Sequence, residues 1–285
     1  MSPLCKGSCR EATEGLLKPI KFGRTYNPSD LASSATSPYT GEALFLKGVI
    51  MAERTIRTEM LIGTEAVNKL ERSHVAVFGL GGVGSWCAEA LVRSGVGELT
   101  IVDDDDFSES NINRQAGALY STVGRPKTEV MAQRLLDINP HLKLHSICGR
   151  YVAEERERFF ADYDYIADAI DSVSSKVDLL VTAVQREIPV LSSMGTGNKL
   201  DASKLQLTDL SKTSGCPLAR VMRRELKKHG IIHLDVLFST EEPIKPLELE
   251  ALPEGKRSVP GSVMWVPATA GLRMAQHIIL KLIEK

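Results

Sequence analysis

The sequence predicts an α/β fold: a doubly wound, mostly parallel sheet with an added C-terminal part of antiparallel strands and helices. Three observations carry this. Val75–Gly95, "VAVFGLGGVGSWCAEALVRSG", reads as an apolar strand, a glycine-rich turn and the start of a helix. Short apolar runs then alternate with helical periodicity as far as Ser193, the pattern of parallel strands joined by crossover helices. Beyond Ser193 the alternation fails, so a different layout is expected there.

Taken in order, strands are expected near Val75–Gly79, Leu99–Val102, Leu142–Ile147, Tyr165–Ala169 and Val190–Ser193. Helices are expected between them, near Ser85–Ser94, Lys127–Ile138, Glu154–Ala161 and Ser174–Arg186. Leu205–Leu210 and His233–Phe238 read as further strands, antiparallel to the first set. Pro217–His229 and Pro267–Ile283 read as helices. Residues 1–50 differ from the rest: Asn27–Gly41 is rich in Ser, Thr, Pro and Ala, so a disordered extension is expected, with the core at 51–285. Residues 241–261 carry four prolines and many charges and read as a mobile loop.

Composition excludes several classes. Hydrophobic residues make up 43% and charged residues 25% of 285, enough to build a large core. A formal net charge of −1 gives no global field for nucleic acid, and nothing suggests DNA; any RNA contact must be local. Five scattered cysteines, without C-x-x-C pairs, fit a reduced cytoplasmic protein rather than a disulfide framework or a zinc site. No apolar run approaches the roughly 20 residues of a membrane-spanning helix.

Gly79, Gly81, Gly82 and Gly84 let backbone approach a polyphosphate, and the helix behind them offers N–H groups and a dipole. Asp103 ends the next strand about 20 residues on, where a carboxylate can bind a ribose hydroxyl. The turn alone does not separate NAD from ATP. The following stretch does: four aspartates, Asp103–Asp106, are followed by Arg114, Arg125 and Lys127. Pro126 favours the first turn of a helix, and Lys127 there opposes the helix dipole. An anion is the natural partner, and a triphosphate suits Arg114 and Lys127 as cations answering charge on a leaving pyrophosphate. Asp171, at the carboxyl end of the fourth strand, can hold Mg2+ or another cation on the phosphates, whereas Asp168 reads as structural.

Together the spaced motifs G-x-G-G-x-G, D-x-D, N-x-x-R-Q, V-G-x-P-K and I-D-S resemble the ubiquitin-activating-enzyme superfamily. The resemblance covers about Arg57 to Lys285. It implies an adenylating, ATP-consuming enzyme on a Rossmann-like sheet. In that family's terms the glycines form the phosphate turn, Asp103 holds the ribose with Asp105 beside it, and Asn111, Arg114 and Gln115 approach the nucleotide. Lys127 contacts phosphate and Asp171 positions the metal. Arg57, in "RTEMLIG", would reach the partner subunit's ATP, which implies a homodimer.

Two branches remain to be weighed. Members that activate a ubiquitin-like sulfur carrier usually hold zinc on two C-x-x-C pairs, which this chain lacks. Leu205–Ile231 and "VLFSTEEPIKP" look instead like the tRNA threonylcarbamoyladenosine dehydratase branch, in which ATP activates a carboxylate beside the anticodon and a ring closes. A stripe of Arg220, Arg223, Arg224 and Lys227 on Pro217–His229 suits tRNA phosphates, although such a face is often merely solvated. Cys216, before Pro217, is a candidate thiol for sulfur transfer or a covalent step, which would bring in a sulfur-transfer protein; ring closure itself needs no protein nucleophile. A nucleotide-gated scaffold and an NAD-dependent oxidoreductase are the readings furthest from these motifs. His74 and His233 border strands and carry no assigned role.

Overall fold

Short runs rich in apolar residues form the central strands of one seven-stranded sheet, buried on both faces, while the two edge strands are more exposed. The computed structural model describes residues 53–247 and 260–284. Strands β1 (His74–Phe78), β2 (Glu98–Asp103), β3 (Lys143–Cys148), β4 (Tyr165–Asp168) and β5 (Val190–Ser193) are parallel. With β6 (Leu205–Asp209) and β7 (Asp235–Ser239) the order is β3-β2-β1-β4-β5-β7-β6. The order reverses around β1 and β4, the switch point at which such sheets bind ligands.

One expectation about the C-terminal strands is corrected. Strand β7 runs parallel to β5, and only β6 is antiparallel, against β7. Thus β7 extends the parallel set, and β6 closes the edge beside it. The expected helix near Glu154–Ala161 is instead a 3-10 segment, Ala153–Arg158. Its sequence, "AEERER", has no apolar stripe to bury, and none of its residues is buried. Phe159 and Tyr163, just after it, do the packing.

Helices cover both faces. Helices α1 (Ile56–Ile62), α2 (Thr64–Arg72), α3 (Gly84–Ser94) and α4 (Lys127–Ile138) precede β3 in the chain. Helices α5 (Val173–Gln185), α6 (Pro217–Lys227) and α7 (Trp265–Glu284) follow it. One core joins Val75, Val77, Leu99 and Ile101 to Leu91, Met131, Met274 and Ile278. The other joins Ala76, Phe78, Val102 and Ile166 to Leu179, Leu180, Met222 and Leu226. Alternate residues of each strand thus feed opposite cores.

Gly271 lets α7 lie against α3: a Cβ there would stand 2.3 Å from the carbonyl oxygen of Val83. Arg273, charged amid apolar residues, turns inward and donates to the carbonyl of Leu205. No helix among the described residues is long and apolar enough to cross a membrane. The described residues all belong to one compact unit, Ile50–Lys285. The disorder expected for 1–50 lies outside the described residues, as does most of the expected mobile loop, at 248–259.

Candidate nucleotide site

The four glycines of the turn divide by what surrounds them. Gly79 has φ +88°, and a Cβ on it would come within 2.7 Å of the Ala169 carbonyl oxygen. A Cβ on Gly84 would stand 1.7 Å from the Gly79 carbonyl oxygen. These two let the turn close on itself and on the end of β4. Gly82 lies against Pro267 and the Arg114 side chain, while a Cβ on Gly81 would meet nothing within 4 Å. Gly81 therefore borders the open space that a phosphate would occupy.

Asp103 braces this turn from the end of β2. One carboxylate oxygen accepts from the Leu80 N–H at 2.6 Å and the other from the Asp105 N–H at 2.9 Å. Burial pushes its carboxyl above the usual carboxylate range, against the pull of Lys127 and of the two backbone donors. The Lys127 ammonium is buried, 2.7 Å from Asp105 and 3.6 Å from Asp103. Its backbone N–H also donates to the Asp105 carbonyl. Pro126 stands at the N-cap and Lys127 at the first helical position of α4. The anions facing Lys127 here are thus the protein's own carboxylates. An incoming phosphate would have to share or replace them.

Arg114 differs. Its guanidinium donates only to neutral acceptors, the Ser110 carbonyl at 2.8 Å and the Asn113 side chain at 2.9 Å. No carboxylate lies within ion-pair distance among the described residues. Burial lowers its pKa, so the charge is partly desolvated yet unanswered. Trp86 fixes the local backbone by donating its indole N–H to the Arg114 carbonyl at 2.9 Å.

Asn111 accepts from the Ser108 N–H at 3.1 Å and closes a capping box on a short 3-10 turn. Its side chain therefore shapes the loop before Arg114. Gln115 is buried, and its Oε1 has no hydrogen-bond partner among the described residues. An orphaned buried amide oxygen is costly and marks a place where a ligand donor fits.

Asp171 is exposed in the loop between β4 and α5, next to the residues that contact Gly79. The loop is pinned by Asp168, which has the structural role read from the sequence. Its carboxylate pairs with Lys176 at 2.8 Å, both fully buried, and accepts from Ser192 at 2.6 Å and the Ile170 N–H at 3.1 Å. Sequence reasoning missed Lys176 and Ser192, which lie in helix and strand patterns that give no sign of facing each other. Asp171 fits a divalent ion by donor chemistry, as do the neighbouring carboxylates of Asp103, Asp104 and Asp105, whose oxygens can lie within 4.8 Å of one another. Lys127 already engages two of those three.

None of the remaining expected residues shares a hydrogen bond or ion pair with this cluster among the described residues. Arg57 is exposed on α1. On α6, Arg220 and Lys227 are exposed, and Arg224 pairs with Glu225 at 2.8 Å. Arg223 folds back and donates to the backbone carbonyl of Thr213 at 2.8 Å and to its hydroxyl, so it is spent on structure. Cys216 is buried at the N-cap of α6, in the second core. Its sulfur would stand 4.0 Å from a Cβ placed on Gly195, just beyond β5.

A switch-point glycine turn, a braced carboxylate, a buried lysine and a half-buried arginine define a nucleotide-binding α/β domain with the arrangement of an adenylating enzyme. The chain belongs to the ThiF family, whose sequence profile matches residues 53–285. It is 42% identical over 245 residues to the tRNA threonylcarbamoyladenosine dehydratase of Bacillus subtilis (strain 168), covering 82% of this chain and 96% of that one. It is 35% identical over 248 residues to the enzyme of the same name from Escherichia coli (strain K12), covering 80% and 92%. The crystal structure of E. coli TcdA, that dehydratase, in complex with ATP superposes with a TM-score of 0.75 at 34% identity, covering 83% of this chain and 98% of the other.

Proposed function

We propose that this chain is an ATP-dependent dehydratase that cyclises threonylcarbamoyladenosine beside the tRNA anticodon, acting in the cytoplasm as a homodimer. A threonyl carboxylate is a poor electrophile, because its oxygen leaves badly. In the reaction a carboxylate oxygen attacks the α-phosphorus of ATP, and pyrophosphate departs. A nucleophile of the same modified base then attacks the activated carbonyl, and AMP leaves with that oxygen. The net loss from the nucleoside is one water. Ring closure is intramolecular, so its rate comes largely from proximity.

Within this scheme the glycine turn receives the phosphates, Asp103 orients the ribose side, and Arg114 and Lys127 answer charge that grows on the leaving pyrophosphate. Asp171 would hold the cation, which neutralises phosphate charge when bound. Arg57 would complete a partner subunit's site, and Arg220 and Lys227 would meet tRNA phosphate.

One observation carries the reading: the half-buried Arg114 side chain packs its Cγ beside Gly82 of the turn, and its guanidinium meets no carboxylate among the described residues. Likeness to dehydratases across nearly their whole length supports the choice of substrate. Arg114→Ala is expected to lower turnover on threonylcarbamoyl-modified tRNA by about 10²–10³-fold, with thermal unfolding unchanged. Near-wild-type turnover would contradict the assignment.

A further inference from the structure

At the opposite end of the sheet, β1, β2 and β3 bring two imidazoles and a carboxylate together. The parallel register pairs His74 with Glu98 and Thr100 with His145. Because successive side chains alternate, His74, Glu98, Thr100 and His145 all emerge on one face. His74 and Glu98 open their strands. The nucleotide turn and Asp103 lie where β1 and β2 finish, so the two groups are separated by the length of the strands.

We propose that His74, Glu98 and His145 form a binding site for a borderline divalent ion of the Zn2+ class, which ties the amino ends of the three strands together. Their ligand atoms all lie within 4.8 Å of one another. His145 Nε2 stands 2.9 Å and His74 Nδ1 3.4 Å from the same Glu98 oxygen. Three ligands about 2.0–2.1 Å from a tetrahedral zinc stand roughly 3.4 Å apart, so small side-chain adjustments suffice. Two imidazoles with one carboxylate select borderline ions; Mg2+ and Ca2+ prefer oxygen alone.

The surroundings fit a ligand role for His74. Its Nε2 lies 2.9 Å from the Thr100 hydroxyl. With the Nε2 proton given to Thr100, the Nδ1 lone pair is left facing Glu98, the outer-shell arrangement usual for a metal-bound histidine. The Tyr163 ring packs edge-on at 4.8 Å and fixes the plane of the imidazole. His145 is partly open to solvent, which provides an entry path and a position for water. Lys143 competes, since its ammonium lies 2.8 Å from the same Glu98 oxygen. Being 67% exposed, it can withdraw to solvent when an ion arrives. Such an ion would fasten β3, the edge strand, to the buried strands beside it.

The test is equilibrium dialysis of the full chain against Zn2+ without nucleotide, alongside visible absorption spectra with Co2+ as probe. One ion per chain is expected at this site. His145→Ala and Glu98→Gln are each expected to weaken binding at least tenfold and to remove the Co2+–imidazole absorption bands. His233→Ala, which alters an exposed histidine elsewhere, is expected to leave both unchanged. Binding that survives either ligand substitution, or that is lost equally in His233→Ala, overturns the proposal.

Discussion

The sequence makes Lys127 and Arg114 a pair of phosphate cations, but their surroundings differ. Lys127 already has Asp103 and Asp105 beside it, whereas Arg114 has only neutral acceptors among the described residues. This has a consequence for stability. Burial raises the Asp103 carboxyl, and Lys127 opposes that rise. A carboxyl raised on folding binds more protons in the native than in the unfolded state across the window between its two pKa values, so stability falls as pH rises through that window. Lys127→Met removes the opposing charge and extends the window upward from the unfolded value of about 3.9. The variant's loss of stability is therefore expected to be small at pH 4 and larger at pH 7 in urea titrations at each pH. A loss independent of pH would show that Lys127 contributes packing rather than charge.

At the scale of elements, the glycine turn separates structural from ligand-facing positions. Gly84→Ala drives a Cβ onto the Gly79 carbonyl and is expected to lower the melting temperature by several degrees or prevent folding. Gly81→Ala meets nothing, so it is expected to keep the wild-type melting temperature and lose ATP affinity, as read by calorimetry. If Gly81→Ala bound ATP normally, the phosphates would lie elsewhere. Helix α6 divides in the same way. Arg220→Ala and Lys227→Ala are each expected to reduce the slope of log affinity for tRNA against log salt by about 1. Arg223→Ala is expected to leave that slope alone and to destabilise the fold, because its guanidinium serves Thr213.

Helix α6 also shows how far a sequence can be read. Its helical span and apolar face follow from periodicity, and the basic stripe from spacing. That Arg223 turns back onto the preceding loop depends on where Thr213 lies, which periodicity does not encode. The strands up to β5 and the crossover helices α3, α4 and α5 are legible because two-residue and helical periods alternate there. The direction of β7 was not, because an apolar run looks the same in a parallel or an antiparallel neighbourhood. The 3-10 segment at Ala153–Arg158 was misread because charged residues favour helix by propensity, while nothing in the segment packs. In the site, glycines and charges stood out; the Asp168–Lys176–Ser192 cluster and the orphaned Gln115 oxygen needed the tertiary structure.

For the whole molecule, the sheet sets one task at each end. Carboxyl ends of β1, β2 and β4 carry the glycine turn, Asp103 and the loop with Asp171, while amino ends of β1 and β2, with His145 of β3, gather the proposed metal ligands. Likeness to dehydratases extends over most of the chain, so the substrate proposal concerns the whole domain rather than the nucleotide turn alone. The most direct measurement incubates the protein with ATP and threonylcarbamoyl-modified tRNA, then determines the nucleoside mass. A nucleoside lighter by one water, formed only with ATP, is the predicted result. An unchanged nucleoside, together with ATP–pyrophosphate exchange stimulated by a ubiquitin-like sulfur carrier, would contradict it.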